Sequence, residues 1–568
     1  MIGTTREDRT FEAIVIGSGM SGGYAAKELC DKGIQTLVLE RGRPVAHGDY
    51  PTATLDPWEL KNAGKLHQDV LKENPVLARC YAFDNTTEHF FVKDVEQQYK
   101  QEKPFDWIRA YQEGGKSLLW ARGGQRWSRY DFDGPGRDGY SIEWPVKYDE
   151  LAPWYSEVEH FVGWSGNKDN LDHFPDGDFL PPFEMNCVET DMKEKIESSY
   201  NDRFMVQGRC AHLTEVRDIH RKQGRGQCLS RTLCSRGCPY GAYFSSNSST
   251  LPWAKRTGNL TIRTNSVVHS IIYDENLGKA TGVRVIDANT KETTEYYARV
   301  IFLNAACLNS NMILMNSTSR RFPNGLGNDS GVLGHYIGFH NYRGRAGGTM
   351  DGFDDQYYYG RRPTTPLIPP FRNVYKQDDV DFQGKYLIST GARRSGWNRG
   401  LNSGSIGEDL KKEMQSPGPW SVSMRMSGEV IPVYDNHVRL SENEKDEWGM
   451  PILVTSIGYS DNDEKMIKDF LEQSVEILKN IGAKNIWSHD NNQAPGLDIH
   501  EMGGARMGKD PKTSILNKWN QVHSCKNVYV TDGACMSTVS TQNPSLTFMA
   551  FAARAASHAA EQLKKNNF

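Results

Sequence analysis

Three stretches carry residues whose types and spacing could do chemistry. In His500-Glu-Met-Gly-Gly-Ala-Arg506-Met-Gly508 a histidine stands next to a glycine-rich turn. Position 504 is Gly, so the stretch is not the paired-histidine motif of a zinc protease. A lone histidine is more often structural. Where the chain returns to a cofactor, however, an imidazole that titrates near neutral pH is a candidate general base. Downstream, a strand ending in Asp532-Gly533 is followed by Asn543-Pro544, which opens an Ala-rich helix from Ser545 to Lys564. Proline in the first turn makes Asn543 the expected N-cap, and the helix would aim its positive end at the cofactor. The third stretch is Cys228-x5-Cys234-x3-Cys238-Pro239. Three thiolates at short spacing suit an iron–sulfur cluster. A zinc ion completed by Cys210 or His212 and a metal-free loop both remain open.

The element that must position these groups runs from Glu12 to Glu40. An apolar strand, Ala13 to Ile16, meets Gly17-Ser18-Gly19-Met20-Ser21-Gly22. A helical pattern follows from Tyr24 to Cys30, then a second apolar run, Leu37 to Leu39, and Glu40. In a dinucleotide-binding turn Gly17 permits the tight bend, Gly19 lets a pyrophosphate approach and Gly22 lets helix and strand pack closely. The helix N-terminus faces the phosphates, and Glu40 can accept from both ribose hydroxyls. A second loop, Gly114-Gly115-Lys116-Ser117-Leu-Leu-Trp120, loosely matches a P-loop from Ala110 onward. A nucleoside triphosphatase is disfavoured, because no clear helix follows and the phosphate site is already supplied. The better reading places this loop against the same cofactor.

The composition is that of an ordinary globular chain. With 568 residues there is room for two lobes. A net charge of −4 gives no electrostatic case for nucleic acid. No apolar run reaches the roughly 18 residues of a membrane span. The N-terminal stretch lacks a basic-plus-apolar signal segment, which points to the cytoplasm or to export alongside a partner. Pro44 to Gln98 reads as an irregular excursion over the cofactor. Leu260 to Asp287 reads as a β-hairpin or meander, Arg299 to Leu303 as a further buried strand, and 335–456 as a β-rich segment. Ser460 is the expected N-cap of a long amphipathic helix whose apolar face runs from Met466 to Leu478.

Taken together, the Gly17/Gly19/Gly22 fingerprint with Glu40, the Gly114-Gly115-x-Ser117-x-x-Trp120 loop, His500-x5-Arg-Met-Gly and Asp532-Gly533 with Asn543-Pro544-Ser-Leu-Thr547 resemble the glucose–methanol–choline family of flavoproteins. The resemblance spans nearly the whole chain. It implies an α/β fold: a Rossmann-like FAD-binding lobe (1–45, 105–130, 205–330, 490–568) and a mixed α+β substrate lobe resting on an antiparallel sheet (46–104, 131–204, 331–489). It implies FAD and hydride transfer from an alcohol carbon, with His500 taking the hydroxyl proton and Asn543 bonding the same oxygen. Arg41, Val268 and Ala305 join the glycine loops, Asp532, Gly533 and Pro544 as expected cofactor contacts. Some sugar oxidases of the family attach FAD to a histidine just before the loop tryptophan; Leu119 stands there, so the FAD is expected to be non-covalent.

The cysteine spacing resembles the [3Fe-4S] site of bacterial hexose dehydrogenases in that family. By that resemblance electrons leave through Cys228, Cys234 and Cys238 to a cytochrome c-type acceptor. A small signal-bearing subunit then carries the protein to the periplasm. The activity implied is a sugar dehydrogenase of the glucoside 3-dehydrogenase type. Gluconate C2, glucose C1 and fructose C5 oxidation, a sugar oxidase and a non-redox flavin lyase are the alternatives.

Overall fold

The computed structural model describes residues 5–568 apart from 51–54, 57, 231–233, 235–236, 357–362, 397–398, 401–402 and 416. Its organising element is the strand Thr10–Ile16, whose last four residues are fully enclosed. It pairs in parallel with Thr36–Leu39 on one side and Thr293–Leu303 on the other. Burial on both faces explains why these strands are continuous apolar runs and not alternating ones. Leu260–Arg263 extends the sheet at one edge, Cys525–Val530 and Gln521–Val522 at the other. The expected hairpin forms between Ser266–Asp274 and Lys279–Asp287 and joins this sheet through Thr293–Leu303.

The helix Met20–Asp31 starts earlier than its apolar pattern suggests, because Gly19 already takes the cap position. It packs against the Ala-rich helix Ser545–Lys564. It also packs against the helix Thr250–Arg256, where a Cβ on Gly23 would lie 2.7 Å from Thr250 Oγ1.

A second, antiparallel sheet runs Leu367–Ile368, Tyr386–Arg394, Trp420–Glu429, Gly344–Met350, Lys484–Asp490, with His340–Asn341 beside Trp420–Glu429. One face presents Ile388, Val422, Met424 and Met426 to Met466, Ile467 and Phe470 of the helix Asp461–Asn480. That helix begins at Ser460 with a capping box closed by Asp463. The other face of the sheet looks back toward the first lobe. The chain thus has the expected Rossmann-like lobe and a mixed α+β lobe on an antiparallel sheet. Residues 44–98 carry short helices and a small apolar cluster of their own, with Leu77, Phe90 and Phe91 packed against Leu118 and Leu119. Among the described residues no helix is long and apolar enough to cross a membrane.

Candidate active site

Between the two sheets lies a cavity of about 700 Å³. Gly17, Ser18, Gly19, Glu40, Arg41, Gly115, Ser117, Trp120, Val268, Ala305, Asp532, Gly533, His500, Asn543 and Pro544 all line it. Gly17 and Asn543, 526 positions apart, therefore line the same cavity. Gly22 and Gly114 do not reach the cavity. A Cβ on Gly22 would sit 1.9 Å from Gly17 O, and one on Gly114 1.9 Å from Asn247 Oδ1, so both are packing glycines. Gly19 is different: a Cβ there would meet nothing within 4 Å. Gly115 lies opposite, its Cβ position 3.7 Å from the Gly19 Cα. The turn Gly115–Leu118 is a short 3-10 helix set on the first glycine loop.

The two loops are tied to the acid. Gly114 N–H donates to Ser18 Oγ at 2.9 Å, and that hydroxyl donates to Glu40 Oε2 at 2.6 Å. Ser18 N–H and Gly42 N–H also donate to Glu40, at 3.1 and 3.0 Å. A carboxylate has about four acceptor sites. With three bonds made, Glu40 offers a ribose one site where the sequence suggested two. Burial nevertheless pushes the Glu40 carboxyl upward against those bonds. Ser117 turns inward as well: its hydroxyl donates to Gly114 O and accepts from Ser246 N–H, so it shapes the loop. Arg41 is held between the rings of Tyr111 and Trp448 and ion-pairs with Asp446 at 3.6 Å.

These features fit FAD. A cradle is open at Gly19, where a phosphate needs close backbone approach. Asn304 Nδ2 and Asp498 Oδ1, on two residues of the cavity wall, are buried without a partner among the described residues. Such orphaned polar atoms carry a desolvation cost of roughly 1–3 kcal/mol unless something fills the site.

His500 and Asn543 meet in the same cavity, His500 Nε2 lying 3.4 Å from Asn543 Nδ2. The protonation of His500 follows from its neighbours. His340 Nε2 lies 3.2 Å from Val539 O, which can only accept, so His340 carries its proton on Nε2. Its Nδ1 is then an acceptor, and it lies 2.9 Å from His500 Nδ1. His500 must donate from Nδ1, which leaves the lone pair on Nε2, toward Asn543 and the cavity. Burial lowers His340 to about 4. Burial, then His340, then Lys116 hold His500 well below its ordinary value. Both rings are neutral at neutral pH.

Asp498 accepts from His340 N–H at 2.9 Å, and burial raises its carboxyl to about 7. His340, Asp498 and His500 lie close enough to hold an ion, but the two Nδ1 atoms already share a hydrogen bond. Backbone strain also gathers here. Ile499, next to His500, has φ +64°, a conformation that costs a β-branched residue about 1–3 kcal/mol.

One expectation is corrected. Pro544, in helical conformation, occupies the cap position of Ser545–Lys564, and Asn543 makes no cap. Its amide is directed to His500 instead. The helix N-terminus still faces the cavity through Pro544, Ser545 and Phe548. His340, Asp498, Tyr342, Arg345 and Arg425 were not anticipated. The only sequence signal for the first was a His-Asn-Tyr run in a β-rich segment.

None of the ten cysteines forms a disulfide. Cys228, Cys234 and Cys238 are half-buried, and the Cys228 thiol is pushed up by burial and then by its neighbours Cys234 and Cys238, which places the three in one neighbourhood. Among the described residues no three ligand atoms of this stretch lie within 4.8 Å of one another. A tetrahedral zinc with bonds of about 2.3 Å would hold its sulfurs about 3.8 Å apart, so no single-ion site is assembled. A polynuclear cluster spaces its thiolates more widely, because each binds a different iron.

Comparison with known proteins follows the same lines. A 2-methyl-1,2-propanediol dehydrogenase of Mycolicibacterium austroafricanum is 25% identical over 97% of this chain and 95% of its own length. The large subunit of fructose dehydrogenase from Gluconobacter japonicus is 24% identical over 99% of this chain and 100% of its own. A formate oxidase structure from Aspergillus oryzae, 13% identical, superposes with a TM-score of 0.61 over 98% of this chain and 99% of that one, a likeness of fold. The GMC oxidoreductase family models match residues 144–337 and 432–552, more than half of the chain. The chain belongs to the GMC oxidoreductase family.

Proposed function

We propose that the protein is an FAD-dependent sugar dehydrogenase in which His500 deprotonates a ring hydroxyl. The observation that carries this reading is the lone pair of His500 Nε2, fixed by His340 and set 3.4 Å from an amide donor in a cavity reaching the glycine loops. Bound FAD supplies the acceptor for the hydride that leaves the carbinol carbon. Gly17, Ser18, Gly19, Glu40, Arg41 and Gly115 would hold its dinucleotide portion. Val268, Ala305, Asp532, Gly533 and Pro544 would line the rest. Non-covalent binding is expected, with Leu119 in the wall. His500 Nε2 takes the hydroxyl proton, and Asn543 Nδ2 donates to the same oxygen. A weak base suffices, since the hydroxyl becomes acidic as the hydride departs. Removal of C3 hydrogen from D-glucosides, giving 3-keto-glucosides, is the specific reaction proposed. Relatives that act on a diol and on fructose support an alcohol substrate. Anaerobic bleaching of the flavin by a panel of sugars, with NMR of the product to locate the new carbonyl, tests the reading. Failure of every sugar to bleach would overturn it.

The electron route is proposed on the thiols. Cys228, Cys234 and Cys238, half-buried and with Cys234 and Cys238 in electrostatic reach of Cys228, would hold a [3Fe-4S] cluster. Electrons would then leave one at a time to a cytochrome c-type acceptor, in a periplasmic complex with a small companion subunit. The relative named as a large subunit supports a multi-subunit assembly. Cys234→Ser is expected to spare flavin reduction while reducing delivery to cytochrome c at least tenfold. Unchanged delivery, or iron-free protein with full activity, would dismiss the cluster.

A further inference from the structure

The substrate-lobe sheet carries two arginines where sheet packing alone would disfavour them. Arg345 and Arg425 are directly opposite one another on adjacent antiparallel strands, and Ser389 is opposite Arg425 on the next. All three line the cavity, on the face opposite to Met424 and Met426. Like charges at directly opposed positions destabilise a sheet. Three other cations of the cavity wall are matched, Arg41 by Asp446, Arg79 by Asp106 at 2.8 Å and Lys116 by Glu501 at 3.3 Å, and Arg109 lies against the rings of Tyr99 and Trp107 and donates to Gln97 O at 2.6 Å. Arg345 and Arg425 have no carboxylate within ion-pair distance among the described residues, and no Asp or Glu falls outside them.

The Arg345 guanidinium is braced by Tyr342 O, Gly344 O and Gln493 Oε1, so its orientation is fixed. Arg425 makes no hydrogen bond to another described side chain and is exposed to the cavity. The repulsion is felt: burial, and next Arg425, lower Arg345 to about 10. Both lie close to the reacting end. Tyr342, whose carbonyl holds Arg345, has its ring centroid 6.0 Å from that of His500.

We infer that Arg345 and Arg425 form a subsite for a carboxylate, so that the preferred substrate is a sugar or glycoside bearing a carboxyl group. The inference rests on the sugar dehydrogenase reading and deepens it. A carboxylate between two guanidiniums accepts paired hydrogen bonds from one and a charge-assisted bond from the other, and it relieves their repulsion. A neutral glucoside offers only hydroxyls and leaves that repulsion in place. The arrangement orients the ring, because the carboxylate end is fixed at the sheet while a hydroxyl faces His500 Nε2.

The test uses holoenzyme and matched pairs, methyl β-D-glucoside against methyl β-D-glucuronoside, followed by anaerobic flavin bleaching. The wild type should favour the acid about tenfold or more in kcat/KM. In Arg425→Gln that ratio should fall about tenfold, and Arg425→Lys should keep part of it. Equal efficiency toward both members of the pair, or a ratio untouched by Arg425→Gln, would overturn the subsite while leaving the dehydrogenase reading intact. Bleaching by no sugar at all would instead remove the reading beneath it. Glucose 6-phosphate is the control for anion type, and a preference for it over glucuronate would overturn the carboxylate assignment.

Discussion

His500→Ala retains FAD and slows sugar-driven flavin reduction by about 100-fold or more. The magnitude is that of a lost general base. FAD retention is expected because the hydrogen bonds of His500 run to His340 and Asn543 and to none of the groups that hold Glu40 and the glycine turn together. The pH dependence separates this role from a structural one. Burial, His340 and Lys116 all lower the imidazole. Its basic form therefore persists below the ordinary value of 6.5, and the acid limb of flavin reduction should lie below that pH. Stopped-flow reduction across roughly pH 5 to 8 gives both results. Near-normal reduction by His500→Ala, or an acid limb at or above 6.5, would remove His500 from the role.

His340 supplies a companion expectation. It touches neither cavity nor substrate and acts through His500, so it is a positioning residue. His340→Phe removes the acceptor for His500 Nδ1–H. The ring is then free to place its proton on either nitrogen, and the rate should fall about tenfold. His340→Gln offers a carbonyl oxygen in the same direction and should recover much of the loss. A purely structural role would not be rescued in this way. Nitrogen NMR of the His500 ring should report Nδ1–H in the wild type.

The sequence made some of this architecture readable and hid the rest for definable reasons. The first strand, its glycine turn and Glu40 are contiguous, and each follows from local chemistry: a doubly buried strand, a positive φ at Gly17, a close contact at Gly22. Ser460 with Asp463 is equally local. His500 and Asn543 were legible as motifs, but the contact between their side chains was not, because Asn543 looked like a helix cap. Proline at the next position adopts the helical conformation itself and frees the amide. His340 and the arginine pair were not legible at all. Arg345 and Arg425 become neighbours through cross-strand register, which is set by long-range pairing and leaves no period in either segment. The same holds for the Ser117 hydroxyl, whose partner Ser246 arrives from a distant 3-10 turn.

Gly19 and Gly22, three residues apart in the same turn, should respond differently to one added methyl group. Gly22→Ala brings a Cβ to 1.9 Å from Gly17 O and 2.9 Å from Gly17 C. That backbone cannot retreat freely, because Gly17 N–H is bonded to Leu39 O and Asn304 N–H to Ile16 O, both at 2.8 Å. The fold should lose about 2 kcal/mol or more, seen as a lower melting temperature of the FAD-free protein. Gly19→Ala meets no atom within 4 Å and has negative φ, −65°. Its cost to the FAD-free fold should stay within about 1 kcal/mol, the scale of a helix-cap change. The added carbon instead occupies the cradle where a phosphate approaches the helix N-terminus. FAD affinity should drop about tenfold or more, which is about 1.4 kcal/mol or more, and the rise in melting temperature on adding FAD should shrink accordingly. Flavin titration and thermal melts of both variants, with and without FAD, separate the two effects. A Gly19→Ala protein that binds FAD as tightly as the wild type would mean that the cofactor does not lie on this turn.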